Sequence, residues 1–101
     1  MVRKGNGVKF EWHPAKAESN LVGHGVTFSE AQEAFDDDYG VVFPDGVNSE
    51  EEARFRLIGA SKSRLLLISY TLREDSQGAE TIRIISAREA ESWEKRKYYE
   101  L

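Results

Sequence analysis

With 101 residues, 40% of them hydrophobic and 32% charged, the chain has the size and balance of one soluble domain. The net charge of −4 argues against coating nucleic acid wholesale, which takes an excess of cations, but leaves room for a local basic site. Cysteine is absent, which excludes disulfides, a thiol nucleophile and thiolate metal sites. The longest apolar run, Leu65 to Ile68, falls far short of the ~20 residues that span a bilayer. The opening MVRKGNG has cations but no apolar segment behind them, so no secretory signal is read there and a cytoplasmic, membrane-free protein is expected.

Residues 1–7 are expected to fray, and residues 1–101 are taken as one domain. Residues 8–12 alternate, with Val8, Phe10 and Trp12 on one face of a short strand. Pro14 suits the first position of a helix over 14–22, ended by Gly23 and Gly25. Thr27-Phe28-Ser29-Glu30 is a capping-box pattern with Val26 and Ala31 as its hydrophobic staple, predicting a helix from about Phe28 to Phe35. Val41 to Pro44 reads as a strand closed by Pro44-Asp45-Gly46. Residues 53–59 alternate, Phe55 and Leu57 against Arg54 and Arg56. Residues 64–72 are apolar on both faces, as in a central strand. Asp75 to Gly78 marks a hairpin turn, and residues 81–86 form the last strand, Ile82 and Ile84 opposite Arg83. Ser86-Ala87-Arg88-Glu89 is a second capping-box pattern, predicting a helix over 87–99.

The expected fold class is therefore α+β, in the order β-α-α-β-β-β-β-α. Hairpin spacing implies an antiparallel sheet, with helices over at least one face. If Phe55, Leu57, Ile82 and Ile84 take the covered face, period-two alternation sends Arg54, Arg56 and Arg83 to the other. Guanidiniums on one sheet face can grip phosphates bidentately. The simpler alternative is that they solubilise the face or pair with acids across strands. The acidic triplets Asp36–Asp38 and Glu50–Glu52 read as solvated loops.

The run FEWHPAKAESNLVGHGVTFSEA from Phe10 to Ala31 resembles the opening signature of the BrnT family of bacterial toxins, F-x-W-D-x-x-K-A-x-x-N-x-x-K-H-G-V-x-F-x-E-A. Phe10, Trp12, Lys16, Ala17, Asn20, His24, Gly25, Val26, Phe28, Glu30 and Ala31 carry the match. A second block, IRIISAR from Ile82 to Arg88, is similar to that family's late strand and helix start. Ala90, Glu94, Arg96 and Tyr98 fit its last helix, and Arg54-Phe55 with Ile58-Gly59 its middle strand. Two positions depart: His13 stands for the usual Asp, and Gly23 for the Lys before His24. The resemblance implies a fold like that of the RelE ribonucleases and a ribosome-independent endoribonuclease that arrests translation. It implies neutralisation by a BrnA-type ribbon-helix-helix antitoxin, and a complex that represses its own operon, so that operator DNA is met only through the antitoxin.

RNA cleavage needs a base for the 2′-hydroxyl, cations for the phosphorane and an acid for the leaving oxygen. Arg83 and Arg88 are the candidate phosphate clamps. His24, in the right pKa class for acid–base work, alternatively serves as a cation at a helix C-terminus. Glu94 and Tyr98, one turn apart, can supply acid–base or stacking groups, although Tyr98 can equally pack on the sheet. Lys16, Arg54 and Arg56 are candidate RNA contacts. His13 reads as a surface residue, and Trp12 and Trp93 read as core. No cofactor is expected, and no metal: the two histidines lack ligand spacing, and nothing fixes an octahedral site at the acidic triplets. Three readings stay open: a metal-independent endoribonuclease toxin; a catalytically weak or inactive toxin-fold subunit acting mainly as co-repressor through its antitoxin; and a stand-alone structural domain.

Overall fold

The computed structural model describes residues 8–46, 52–74 and 76–100. Its elements are β1 (Lys9–Glu11), α1 (Pro14–His24), α2 (Phe28–Ala34), β2 (Val41–Pro44), β3 (Arg54–Ala60), β4 (Leu65–Glu74), β5 (Glu80–Glu89) and α3 (Ser92–Tyr99), an α+β chain in the order expected. Residues 1–7, Glu50 and Glu51 of the second acidic triplet, and Asp75 of the hairpin turn lie outside the described residues. No helix among the described residues is long and apolar enough to cross a membrane.

The strands form one sheet in the order β1-β5-β4-β3-β2. The hairpin-spaced strands β2, β3, β4 and β5 pair antiparallel as expected, and β1 adds to them parallel to β5, with Phe10 opposite Ile82 and Glu11 opposite Arg83. A hairpin forces its two strands antiparallel, whereas β1 reaches β5 from the far end of the chain and no turn dictates its direction.

Local signals fix the helix starts. His13 Nδ1 accepts from the Ala15 amide at 3.1 Å, doing the work of the missing Asp, and Thr27 Oγ1 accepts from the Glu30 amide at 3.0 Å. Glu30 does not close its capping box. Its carboxylate turns to Arg64 (2.9 and 2.7 Å) and Ser61 (2.8 Å), bracing the β3–β4 turn, and these bonds, Arg64 first, hold its pKa below the usual carboxylate value. α1 runs through Gly23 to His24. It stops at Gly25, whose φ of +69° suits glycine and whose N–H donates to the Leu21 carbonyl.

Alternation then sorts the core. Phe28, Ala31, Ala34 and Phe35 bury against Leu57, Leu66, Ile68, Tyr70, Ile82, Ile84 and Ala87, with Phe10, Trp12 and Phe55 at the margin. Edge-to-face contacts of Phe35 with Phe10 (5.2 Å) and Tyr70 (5.0 Å), and of Trp12 with Phe28 (5.8 Å), lock β1 and α2 to this face. A smaller cluster on the opposite face, Ile58, Leu65, Leu67 and Ala90, is capped by Tyr98 of α3. Trp93, expected in the core, stands 45% exposed on α3.

The chain end departs most from expectation. Ser86–Glu89 is not a helix start: β5 continues through Glu89, with Arg88 paired to Leu67 and Glu89 to Leu66. α3 opens instead with a capping box between Glu91 and Glu94. β1 accompanies β5 only as far as Arg83, so beyond it the outer backbone of β5 lacks a strand partner. The Asn20 amide supplies one. Its Nδ2 donates to the Ala87 carbonyl (2.8 Å) and to that of Val26 (2.9 Å), and its Oδ1 accepts from the Ala87 amide (3.0 Å). With those backbone groups satisfied in extended geometry, no helix can begin at Ala87.

Candidate nucleic-acid interface

A bulge decides which arginines meet. On β5, Ser86 pairs with Ser69 and Ile84 with Tyr70, so Ile85 is the extra residue. Residues 83 and 88 would face opposite sides of an unbulged strand. The inserted residue returns both to one face. In register, that face carries the row Glu11, Arg83, Thr71, Arg54; then Ser86, Ser69, Arg56, Phe43; then Arg88, Leu67, Ile58, Val41. Arg73 lies beyond the first row, opposite Thr81. The last row is the apolar patch under α3. The first two form a polar floor of small hydroxyl residues ringed by guanidiniums.

Arg56, Arg73, Arg83 and Arg88 each face a carboxylate. Arg88 grips Glu94 bidentately (2.9 and 2.8 Å), and Glu94 is 0% exposed. Arg83 donates to Glu11 (2.7 Å), Arg56 to the buried Asp45 (3.3 Å), and Arg73 to Glu52 (3.3 and 3.0 Å). The Arg73 hydrogen bonds hold Glu52 below the usual carboxylate pKa, with Arg54 and Arg83 adding attraction at longer range. The face is thus basic in its guanidiniums and nearly balanced in charge.

The expected site residues fall into separate groups. Arg54, Arg56, Arg83 and Arg88 share the face. Arg83 and Arg88 stand about 15 Å apart along the strand, too far to clamp one phosphate together but suited to separate ones. Glu94 touches Arg88 with both oxygens and also accepts from the Glu91 amide (2.8 Å), so its carboxylate is fully engaged. Tyr98 donates to Asp37 Oδ2 at 2.6 Å, and burial together with that carboxylate holds its phenol protonated well above its ordinary range. Asp37 also accepts from the Ala60 and Tyr39 amides (2.8 and 2.9 Å), so Tyr98 docks α3 onto the end of β3. Lys16 and His24 are exposed on α1, which packs through Ala17 and Asn20 against the α2-side core and the outer edge of β5. No hydrogen bond or ion pair among the described residues joins their side chains to the arginines.

Glu11, Ser69, Thr71, Arg73 and Ser86 were missed in the sequence. Ser69, Thr71 and Arg73 recur at every second position, a signal hidden by reading β4 as apolar on both faces. Among the described residues no cluster of His, Asp and Glu has the makings of a metal site.

Residues 12–94 match the family model described as the ribonuclease toxin, BrnT, of type II toxin–antitoxin systems. The chain belongs to the BrnT family. No individually curated protein matches it. As a BrnT protein it is a ribonuclease toxin of a type II system, the kind of toxin that is paired with an antitoxin. The BrnT match takes in Arg54, Arg56, Arg83, Arg88 and α1 and stops at Glu94, the residue that fastens Arg88.

Proposed function

We propose that this BrnT chain is a metal-independent endoribonuclease that cuts RNA laid across the arginine face and so arrests translation. The observation that carries the reading is the bulged β5. It presents Arg83 and Arg88 from the same face as Arg54 and Arg56 in a chain of a ribonuclease-toxin family. Guanidiniums hold successive phosphates and stabilise the charge of the phosphorane. Arg83 is the central phosphate ligand, with Arg54 and Arg56 beside it. Arg88 holds a neighbouring phosphate and is itself oriented by Glu94. His24, or a carboxylate of the face, takes the 2′-hydroxyl proton; Lys16 meets the RNA beyond the face, and Tyr98 keeps α3 in place. The partner is a BrnA-type ribbon-helix-helix antitoxin, through which alone the complex meets operator DNA, in the cytoplasm.

One observation favours a second reading, a catalytically weak subunit that serves mainly as co-repressor. The carboxylates of Glu11, Asp45, Glu52 and Glu94 already occupy Arg83, Arg56, Arg73 and Arg88. Expression without antitoxin separates the two. The nuclease arrests growth and degrades RNA, and Arg83→Ala abolishes both while the protein stays folded. Normal growth with intact RNA refutes the nuclease, and an Arg83→Ala variant of full toxicity refutes the role of Arg83.

A further inference from the structure

We infer that Thr71, at the centre of the arginine face, is the seat of an RNA phosphodiester, its hydroxyl donating to a phosphate oxygen held between Arg54 and Arg83. The inference deepens the RNA-binding reading above and rests on it.

Thr71 is 0% exposed, and its Oγ1 is a buried side-chain oxygen with no hydrogen-bond partner among the described residues. A buried hydroxyl left unpaired costs about 1–3 kcal/mol. Valine would give nearly the same shape without that cost, and β4 otherwise carries four leucines and an isoleucine. Packing therefore does not explain a threonine here, whereas a donor that finds its acceptor only when a ligand arrives does.

The register says what that ligand is. Thr71 lies directly between Arg54 on β3 and Arg83 on β5, with Glu11 beyond Arg83. The two arginine positions are roughly 10 Å apart across the intervening strand, a span that their side chains close over one tetrahedral oxyanion. A hydroxyl below and a guanidinium on either side make a donor set for phosphate oxygens. Arg83 is released more readily than the arginines of this face whose carboxylates are buried: Arg88 is fastened to a fully buried carboxylate and Arg56 to the buried Asp45. Arg83 is held by Glu11, whose side chain is 41% exposed, and such a pair exchanges for phosphate at little cost. Arg83 and Glu11, 29% and 41% exposed, must rotate off Thr71 when the phosphate arrives.

Thr71→Val and Thr71→Ser test this with an uncleavable probe, a short 2′-O-methyl RNA oligonucleotide, alongside thermal unfolding of the free proteins. Thr71→Val is expected to bind about tenfold more weakly while melting at or above the wild-type temperature. Thr71→Ser, which keeps the hydroxyl, is expected to bind within about twofold of wild type. Undiminished binding by Thr71→Val, a clear drop in its melting temperature, or no binding by the wild type overturns the inference. Cleavage of unmodified RNA by the wild type is scored separately: its absence removes the nuclease and leaves the binding comparison to decide the seat.

Discussion

Whether Arg88 serves RNA or the fold depends on how tightly Glu94 holds it. Replacing Glu94 with alanine removes the acceptor for two Arg88 N–H groups (2.9 and 2.8 Å) and for the Glu91 amide (2.8 Å). Deleting one partner of a buried pair generally costs ~3–5 kcal/mol. Arg88 keeps 28% of its side chain in solvent and has Glu91 at 3.7 Å, so hydration and the surviving carboxylate recover part of the loss. The expected destabilisation for Glu94→Ala is therefore about 3 kcal/mol, the lower end of that range. Arg88→Ala strands a carboxylate with 0% exposure, and about 4 kcal/mol is expected. Because both variants lose the same contact, the double variant should fall short of the sum by about 2 kcal/mol. Urea denaturation of the four proteins, compared at equal m-values, measures each quantity. A domain of this size holds ~5–15 kcal/mol in all, so these are large effects. A loss below about 1 kcal/mol for Glu94→Ala, or additivity within about 0.5 kcal/mol, would refute the reasoning that Glu94 fastens Arg88.

Two further outcomes follow from the contacts that hold the helices. Burial works to raise the Asp37 pKa, but the hydrogen bonds from Tyr98, Ala60 and Tyr39 outweigh it and leave it below the ordinary 3.8. Its stabilisation is thus fully present above that value and is lost as pH falls through the lower folded value. Asp37→Asn should flatten this part of the acid dependence, seen in melting temperatures between about pH 2 and pH 6; an unchanged acid profile would exclude Asp37 as its source. Asn20→Leu should cost about 3 kcal/mol or more, because it strands the buried Ala87 amide and the Ala87 and Val26 carbonyls. Hydrogen exchange at the Ala87 amide should accelerate accordingly, and a protection factor equal to wild type would show that Asn20 is not its partner.

Much of the fold was legible because its signals are short-range. The alternation of residues 53–59, the Thr27 cap, the Gly25 stop and the order of the elements all depend on neighbours within one turn or one strand. The same local reading failed at Ser86–Glu89, where a plausible capping box competes with a strand. Asn20, distant in sequence, settles that contest by pairing with Ala87. The local reading also paired Arg88 with the wrong element, and it passed over Thr71 because apolar residues dominate β4.

From the sequence alone came the α+β order, the face that buries Phe55, Leu57, Ile82 and Ile84, the arginines on the other face, and the family likeness. The faces follow from side-chain periodicity, which the chain carries wherever it folds, and the likeness from the matched residues of two separated blocks. Only the tertiary structure decided that Arg83 and Arg88 share a face, that Glu11 and Glu94 occupy them, and that Thr71, unpaired among the described residues, lies in register between Arg54 and Arg83. The bulge at Ile85 and the parallel entry of β1 create these juxtapositions, and both are set by which strands lie alongside β5. Register between distant segments is a property of the assembled sheet, not of any stretch of residues within it.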